Sequence, residues 1–265
     1  MLTVSHLFIY PIKSLGGIEV HSSYVGERGL QYDRRWMLID DQGRFITQRE
    51  HKQLALFRTA IDTDHLIVYH QQDPYNKLLI PLKVVANESL EVTIWEDVCH
   101  ATTINAAANT WFSERVGMSL RLVYMPDESK REVDPDYAFE KEITSFSDGY
   151  PMLMIGQASL DHLNAQLQHP LPMDRFRPNI VFTGGEPHQE DEMKAFSING
   201  LSMLGVKPCA RCVMTTIDQS TGVAGQEPLA TLSTYRKRNN KIYFGQNVIP
   251  KSFGSIKLGD HILNV

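Results

Sequence analysis

The sequence predicts a mainly β fold with a few helices, an α+β chain built on an antiparallel barrel or sandwich. Short apolar or aromatic runs recur about every ten residues over roughly the first hundred residues, and they return after residue 175. Two longer segments between these regions carry the four-residue apolar spacing of helices. The chain has 265 residues, 42% of them hydrophobic and 22% charged, which suffices for one large or two modest domains.

The first strand is predicted over residues 4–10, because an apolar and aromatic run stops there at a proline. A hairpin follows, since residues 34–40 and 44–48 flank a turn that contains a glycine. The other predicted strands are short apolar runs at residues 65–70, 77–82, 90–96, 178–182, 196–206, 212–217, 241–249 and 255–265.

Two helices are predicted from periodicity and from their end signals. Residues 105–117 repeat apolar side chains at four-residue steps, and Gly117 ends the segment. Residues 156–170 do the same, with Ser159 as the expected cap and Pro170 as the end.

The segment between these helices suggests how the chain is divided. Residues 125–144 are highly charged and contain two prolines, which predicts a mobile loop. We expect a domain boundary near residues 118–125, giving domains over 1–120 and 121–265.

Composition excludes several classes of protein. A net charge of −5 and a pI of about 6.1 argue against a nucleic-acid binder, which would be basic. Three cysteines cannot form a disulfide framework and favour a reducing compartment. The first residues lack the basic stretch of a secretory signal, and no apolar run reaches about 18 residues, the length that predicts a membrane span. We therefore expect a soluble, cytoplasmic protein without membrane or nucleic-acid partners.

Two of the three cysteines lie close together in the segment Cys-Ala-Arg-Cys, residues 209–212. Structural zinc requires four ligands, and a thioredoxin-type pair precedes a helix, whereas β-branched residues follow Cys212. Zinc binding, disulfide exchange and simple burial of both thiols remain alternatives on this pattern. Arg211 favours a further one, because a neighbouring cation stabilises the thiolate form that binds soft metals.

Three further clusters are rich in cations. Lys13 and Ser14 precede paired glycines and resemble an anion cradle of hydroxyl, ammonium and backbone N–H groups. Arg34 lies in a predicted strand, and Arg175 and Arg177 lie just before another, in which Asn179 is on the face of Arg177. Each cluster alone is an ordinary turn or a solvated arginine. Together, in an acidic chain, they suggest a site for a phosphorylated ligand.

Six segments, in this order along the chain, resemble those of MOSC-domain proteins that carry an N-terminal β-barrel domain. The closest resemblance is to the amidoxime-reducing components and their bacterial relatives, and a weaker one is to the C-terminal domain of molybdenum cofactor sulfurases. The resemblance implies a MOSC β-barrel, a smaller N-terminal β-barrel-like domain and a few peripheral helices. The segments are PIKS, DRRWMLID, FSDGYPMLMIGQASLDHLN, RFRPNIV, PCARCVMTTIDQSTG and FGQN.

The resemblance also implies a molybdenum–molybdopterin cofactor. Cys212 would be the protein ligand to the metal, with Arg211 as its electrostatic support, and Cys209 would be less essential. Gly149 and Tyr150 stand where relatives have small hydroxyl residues, so backbone contacts are expected there. The cofactor-binding residues implied are Lys13, Ser14, Arg34, Gly149, Tyr150, Arg177, Asn179, Ala210, Arg211, Cys212 and Asn247.

The activity implied is the reduction of small N-hydroxylated compounds, namely hydroxylamines, amidoximes and N-hydroxylated bases. A non-catalytic carrier or sensor of the cofactor and a sulfur-transfer protein are the alternatives. The chain lacks the four cysteines of a plant-type ferredoxin cluster. We therefore expect electrons to come from a separate donor protein of the ferredoxin or flavoprotein type.

Overall fold

Strands make up most of the regular structure of this chain, whose computed structural model describes residues 1–85 and 87–264. In chain order the strands are β1 (Leu2–Ile9), β2 (Ile18–Val20), β3 (Ser22–Gly26), β4 (Gly29–Leu30), β5 (Trp36–Ile39), β6 (Phe57–Ile61), β7 (His65–His70), β8 (Asp73–Pro81), β9 (Ser89–Ile94), β10 (Asp97–Thr103), β11 (Arg121–Tyr124), β12 (Arg131–Glu132), β13 (Ile143–Thr144), β14 (Met152–Gly156), β15 (Ile180–Thr183), β16 (Ala195–Ile198), β17 (Leu201–Arg211), β18 (Lys237–Arg238), β19 (Lys241–Pro250), β20 (Gly254–Lys257) and β21 (His261–Asn264). The helices are α1 (Ala106–Val116), α2 (Gln157–Asn164) and α3 (Leu229–Tyr235). The mainly β, α+β fold is therefore confirmed.

Seven strands close into a barrel in the order β14, β15, β1, β21, β16, β17, β19. Because β14 pairs with both β15 and β19, the barrel has no free edge. Only the β14–β15 pair among these neighbours is parallel. Apolar side chains such as Leu7, Phe182, Phe196 and Val248 pack into one buried cluster, so the alternating strand pattern supplies the core.

The first strand of the chain belongs to this barrel, where β1 pairs with β15 on one side and β21 on the other. The sequence assigned it to an N-terminal domain over residues 1–120. Strand β11, just past residue 120, pairs instead with β5 in an N-terminal sheet. The boundary near residues 118–125 stays a prediction. A strand from before it, β1, pairs within the barrel, and a strand at it, β11, pairs within the N-terminal sheet.

The N-terminal part contains a four-stranded sheet, β5-β11-β10-β9, and a three-stranded sheet, β6-β7-β8. Buried Trp36 and Phe57 share one apolar cluster with Phe112 and other side chains of α1. Helix α1 begins as predicted, with the Asn105 side chain accepting from the Ala108 N–H. It ends at Gly117, whose φ of 82° is the left-handed conformation that glycine adopts at low cost.

The second helix differs from the prediction at both of its ends. Helix α2 stops at Asn164, well before Pro170, and its cap residue Gly156 makes no side-chain cap. Ser159 is not the cap; its hydroxyl is buried and donates to Glu190 at 2.7 Å. Helix α3 was not predicted, because seven residues are too few to show a clear period. No helix in the described part of the chain is both long and apolar enough to cross a membrane.

The predicted strand over residues 212–217 is wrong. Strand β17 ends at Arg211, and residues 213–216 form a short 3₁₀ helix. The Thr215 hydroxyl donates to the Cys212 carbonyl at 3.0 Å, and the Thr216 hydroxyl donates to the Val213 carbonyl at 2.7 Å. These local bonds give the backbone an alternative to a sheet ladder, and they outweigh the β propensity of the run.

The predicted hairpin near residue 40 forms only in part. Arg34 has a φ of 48°, so strand β5 begins later, at Trp36, and the prediction that Arg34 lies in a strand is wrong. Residues 44–48 make isolated bridges through Arg44 and Phe45 rather than a full strand. The predicted mobile loop over residues 125–144 contains the paired strands β12 and β13, and its mobility stays a prediction.

Candidate functional site

A cleft with about 910 Å³ of empty space, including its open mouth, lies where the end of β17 approaches both halves of the chain. Its walls come from residues far apart in sequence, near positions 13, 34, 49, 148, 176, 211 and 247. All eleven residues that the sequence analysis selected line this cleft: Lys13, Ser14, Arg34, Gly149, Tyr150, Arg177, Asn179, Ala210, Arg211, Cys212 and Asn247.

The cleft is strongly cationic although the whole chain carries a net charge of −5. Among the described lining residues, Asp148 is the single carboxylate. Six cationic residues line the cleft: Lys13, Arg34, Arg49, Arg175, Arg177 and Arg211. Such a concentration of like charge in a partly enclosed cleft favours an anionic ligand.

Two of these arginines share one aromatic ring. The guanidinium carbons of Arg34 and Arg177 each lie 4.2 Å from the ring centroid of Tyr10, which is fully buried. Both contacts are cation–π interactions, which hold a guanidinium without neutralising its charge. Gly17 makes room for the ring, because a Cβ there would lie 2.5 Å from a Tyr10 carbon.

Arg34 is further held by a buried carboxylate and an amide. Its Nη1 donates to both carboxylate oxygens of Asp33 at 2.8 and 2.6 Å, and to Asn179 Oδ1 at 3.2 Å. Burial raises the pKa of Asp33, and the charge of Arg34 acts in the opposite direction. Asn179 also bonds the Leu153 N–H and the Phe8 carbonyl, so its amide orients Arg34 and braces two strands.

Arg177 has no such partner. Its Nη2 is buried and makes no hydrogen bond among the described residues. Burial and the nearby charge of Arg34 lower its pKa to about 10. Two other lining residues also have a buried nitrogen without a hydrogen bond, since Nε of Arg175 and Nε of Arg211 lack an acceptor in the described chain. Buried donors are normally paired, so three unpaired ones around one cleft fit a ligand rich in acceptor oxygens.

Three residues that line the cleft have strained backbone conformations. Ser14, Arg34 and Arg177 have φ values of 70°, 48° and 55°, in the left-handed region that side chains other than Gly and Asn seldom adopt. Strained residues persist where the surroundings impose them, and they cluster at binding sites. The strain therefore supports this cleft as the functional site, independently of its charge.

The anion cradle expected at residues 13–17 is built differently from the prediction. The N–H groups of Lys13, Leu15 and Gly16 donate to the carbonyls of Trp36, Ile12 and Phe57, so they are not free to bind an anion. The Lys13 ammonium and Ser14 still line the cleft. The paired glycines serve close packing, since a Cβ at Gly16 would lie 2.8 Å from a carbonyl oxygen.

Lys13 and Arg49 bind the same carboxylate. Lys13 Nζ donates to Asp148 Oδ1 at 2.6 Å and to the Phe146 carbonyl at 2.8 Å, while Arg49 Nη2 donates to Asp148 Oδ2 at 2.7 Å. Burial lowers the pKa of Lys13 to about 8, although Asp148 opposes this shift. Burial acts against ionisation of Asp148, but the charges of Lys13 and Arg49 prevail and hold its pKa well below the usual range.

The cation that contacts Cys212 is Arg49, whose Nε donates to Cys212 Sγ at 3.3 Å. The expected partner, Arg211, turns the other way. Its Nη1 donates to Cys209 Sγ at 3.1 Å and its Nη2 donates to the Phe176 carbonyl at 2.7 Å. The assignment of Arg211 as the direct support of Cys212 is therefore wrong. Successive side chains of an extended segment point to opposite faces, which is why adjacent Arg211 and Cys212 part.

The geometry of the two cysteines bears on the alternatives that the sequence left open. Cys209 lies inside β17 and Cys212 directly follows the strand. Both thiols are free, and they contact different arginines, Cys209 contacting Arg211 and Cys212 contacting Arg49. No cluster of three or more His, Cys, Asp or Glu side chains in residues 1–85 and 87–264 could hold a metal alone. A zinc site and a disulfide pair therefore do not fit.

The remaining selected residues line the cleft but contribute no charged side chain to it. Asn247 Nδ2 donates to the Lys207 carbonyl at 3.0 Å, which braces β19 against β17. Burial raises the pKa of Tyr150, so its hydroxyl stays protonated. Gly149 and Ala210 contribute no polar side chain, which is consistent with the expected backbone contacts.

Sequence reasoning missed Arg49, Asp148 and Asp33, although each contacts a selected residue. Arg49 and Asp148 read as ordinary charges beside a turn, and no spacing links positions 49, 148 and 212. Arg175 was noticed beside Arg177 but was not selected. The one available signal was proximity to a selected residue, which applies to Asp33, Asp148 and Arg175 but not to Arg49.

Sulfate should stabilise the cofactor-free protein, and the effect should fall as the pH rises through about 8. Lys13 has a lowered pKa of about 8, so it is charged below that pH and neutral above it. Anion binding that uses the ammonium is therefore complete below pH 8 and is lost above it. Thermal unfolding with sulfate, against chloride at matched ionic strength, measures the effect. Lys13→Met should remove the pH dependence, and an equal sulfate effect at pH 6.5 and 9.5 would contradict this assignment.

Comparison with known proteins agrees with this architecture. The family model for the MOSC N-terminal beta barrel domain matches residues 1–119, and that for the MOSC domain matches residues 141–263. Mitochondrial amidoxime-reducing component 1 of Mus musculus is 31% identical over 98% of this chain and 81% of its own length. Mitochondrial amidoxime reducing component 2 of Bos taurus is 30% identical over 98% of this chain and 82% of its own length.

Two other matches are partial or distant. The molybdenum cofactor sulfurase of Oryza sativa is 31% identical over 90% of this chain, which corresponds to 31% of that protein. The crystal structure of the YUAD protein from Bacillus subtilis aligns with 99% of this chain and 94% of that chain, at 9% identity and a TM-score of 0.42. Both domain matches and the extent of the identity to the amidoxime-reducing components establish that this chain belongs to the family of MOSC-domain proteins with an N-terminal MOSC beta barrel.

Proposed function

We propose that this protein is a molybdenum–molybdopterin-dependent reductase of small N-hydroxylated compounds. The observation that carries the proposal is the joint presence, in one cleft, of the Cys212 thiol and three unpaired guanidinium nitrogens. A thiol suits a soft metal, and unpaired guanidinium donors suit a phosphate. The curated relatives named amidoxime-reducing components support the substrate class.

The residues fit the group that the family implies. Arg175, Arg177 and Arg211 would hold its anionic oxygens through the buried nitrogens that lack acceptors, and Cys212 would bind the metal. When bound, the cofactor would supply two-electron reduction at a metal held mainly by sulfur. The protein contributes orientation and positive charge.

The reaction also requires protons, which the protein must supply. Reduction of an N–OH group consumes two electrons and two protons and releases one water molecule. Lys13 lines the cleft and has a pKa of about 8, so its Nζ can hold or release a proton near neutral pH. Asp148, bonded to Lys13, keeps the ammonium charged until that pH. We infer that the Lys13–Asp148 pair is the proton source at this site.

We propose a separate donor protein of the ferredoxin or flavoprotein type. The isolated chain, made in a host that supplies the cofactor, should reduce a hydroxylamine or an amidoxime with dithionite or reduced viologen. It should not do so with NADH or NADPH alone, because the sequence contains no nucleotide-binding fingerprint. Rapid NADH-dependent turnover by the pure chain would contradict the proposal.

Metal and pterin analysis of the same preparation distinguishes the other possible functions. Stoichiometric molybdenum and pterin with turnover supports a reductase. Stoichiometric cofactor without turnover would identify a carrier or sensor instead. The three free cysteines support the reducing, cytoplasmic location that is part of this proposal.

A further inference from the structure

A two-residue hairpin loop lies close to the candidate metal ligand. Strands β9 and β10 pair up to Ile94 and Asp97, which leaves Trp95 and Glu96 as the loop. Trp95 has a φ of 55°. Loops of this length that need a positive φ at their first residue favour glycine or asparagine, and a bulky aromatic residue is an outlier there. The surroundings must therefore favour the indole at this position.

The contacts of the indole show what it supports. The guanidinium carbon of Arg49 lies 4.6 Å from the Trp95 ring centroid, and the Phe45 ring packs against the indole edge to face, with centroids 5.0 Å apart. Trp95 remains 47% exposed, so it is not a core residue. Its ring contacts Arg49 and Phe45 in the described chain.

Arg49 is bonded along every edge of its guanidinium group. Nε donates to Cys212 Sγ at 3.3 Å, Nη1 donates to Thr47 Oγ1 at 3.2 Å, and Nη2 donates to Asp148 Oδ2 at 2.7 Å. The guanidinium carbon lies over the indole ring, so the ring limits the directions in which these N–H groups can point. The indole thus helps to keep Nε directed at the sulfur.

We propose that Trp95 is a positioning residue for Cys212 and that it acts through Arg49. The tip of an N-terminal hairpin thereby orients a thiol that follows a strand of the barrel. The contacts from Trp95 through Arg49 to Cys212 are observed distances. Their effect on catalysis rests on the proposed function, in which Cys212 binds the metal. The sequence indicated no role for Trp95 or Arg49.

The first experiment uses cofactor-free protein and follows the side-chain Nε–H signal of Arg49 by ¹⁵N NMR, assigned from its loss in Arg49→Lys. In Trp95→Gly the signal should lose its ring-current shift, and its exchange with water should become about threefold to tenfold faster, as loss of one partly exposed cation–π contact predicts. Trp95→Phe should fall between. Cys212→Ala should also speed exchange, since it removes the acceptor of that N–H.

A matched control is Lys141→Gly, another exposed residue with a left-handed φ, 59°, that lies outside the cleft lining. Glycine relieves the backbone strain in both variants, so Lys141→Gly should unfold near the wild-type temperature. Trp95→Gly also loses the contacts of the indole with Arg49 and Phe45, so it should stay folded but unfold somewhat below that temperature. Only Trp95→Gly should change the Arg49 signal. An unchanged Arg49 signal in Trp95→Gly would overturn the proposal, whatever the activity of the enzyme.

The second experiment uses the loaded enzyme. Trp95→Gly should lower kcat with little change in KM and should alter the paramagnetic resonance spectrum of the metal, whereas Trp95→Phe should restore most of both. A changed Arg49 signal with an unaltered metal spectrum and kcat would overturn the link from Arg49 to the metal ligand. If wild-type protein binds no molybdenum, the proposed function fails and the NMR result still decides the positioning of Arg49.

Discussion

Cys212→Ser should lower reductase activity by about a hundredfold or more, since even outer contacts of a metal site are worth about 10–100-fold. A hydroxyl is a poor substitute for a thiolate at a soft metal, so the electronic spectrum of the bound metal should change as well. Metal content, absorption spectrum and turnover with an artificial reductant measure the effect. Cofactor content should fall less than activity, because the arginines that face the anionic groups remain in place.

Cys209→Ser is the matched control, and it should retain most activity and bound metal. Cys209 lies within β17, and its thiol contacts Arg211 rather than Arg49. The sequence predicted a strand that begins at Cys212, whereas in the structure Cys209 lies in a strand and Cys212 directly follows it. The orientation of Cys212 comes instead from the 3₁₀ turn after it and from Arg49. Equal loss of activity in both serine variants would show that the thiols act as a unit and would contradict the assignment of Cys212 as the ligand.

Arg177→Met should have opposite effects on cofactor binding and on stability. Loss of a charge-assisted hydrogen bond of about 1.5–3 kcal/mol lowers cofactor affinity by about tenfold or more.

The cofactor-free Arg177→Met protein should be as stable as wild type or more stable. Arg177 is 8% exposed, one of its nitrogens has no acceptor in the described chain, and its pKa is lowered to about 10. A base with a lowered folded-state pKa destabilises the fold wherever it stays charged, here below about pH 10. Methionine keeps part of the apolar stem against Tyr10.

Arg115→Met tests whether this behaviour is specific to the cleft. Arg115 also stacks on an aromatic ring, with its guanidinium carbon 4.0 Å from the Trp111 centroid, but it lies on α1 outside the cleft lining. It should leave cofactor occupancy unchanged. Cofactor content and the free energy of unfolding in urea measure both effects. Reduced stability of cofactor-free Arg177→Met with normal cofactor content would identify Arg177 as a structural residue and remove it from the site.

Local signals in the chain predicted much of the fold. The Asn105 cap and the left-handed Gly117 delimit α1 because both act within one helical turn. By contrast, residues 196–206 were predicted as one strand, but they form a hairpin between β16 and β17 around Asn199 and Gly200, both with positive φ. Arginine clusters and the resemblance to a family selected eleven residues that all line one cleft.

Some features were beyond the sequence patterns, above all contacts between residues about one hundred or more positions apart. Arg49 meets Cys212 across 163 positions and Asp148 across 99, and no pattern within either segment records this. The predicted strand at 212–217 had the right propensity, yet threonine hydroxyls bonding back to nearby carbonyls ended β17 at Arg211.

The sequence by itself determined that this is a mainly β chain with several cationic clusters and a Cys-Ala-Arg-Cys segment, and the resemblance to a family implied an anionic, metal-containing ligand. Turn residues and strand alternation involve only a few neighbouring residues, and composition needs no coordinates, so all of them can be analysed without knowledge of the fold. Only the tertiary structure decided which cation contacts which thiol, that Trp95 covers Arg49, and that the first strand completes the barrel. Those choices depend on packing between distant segments, where burial and side-chain direction select among partners that look equivalent along the chain.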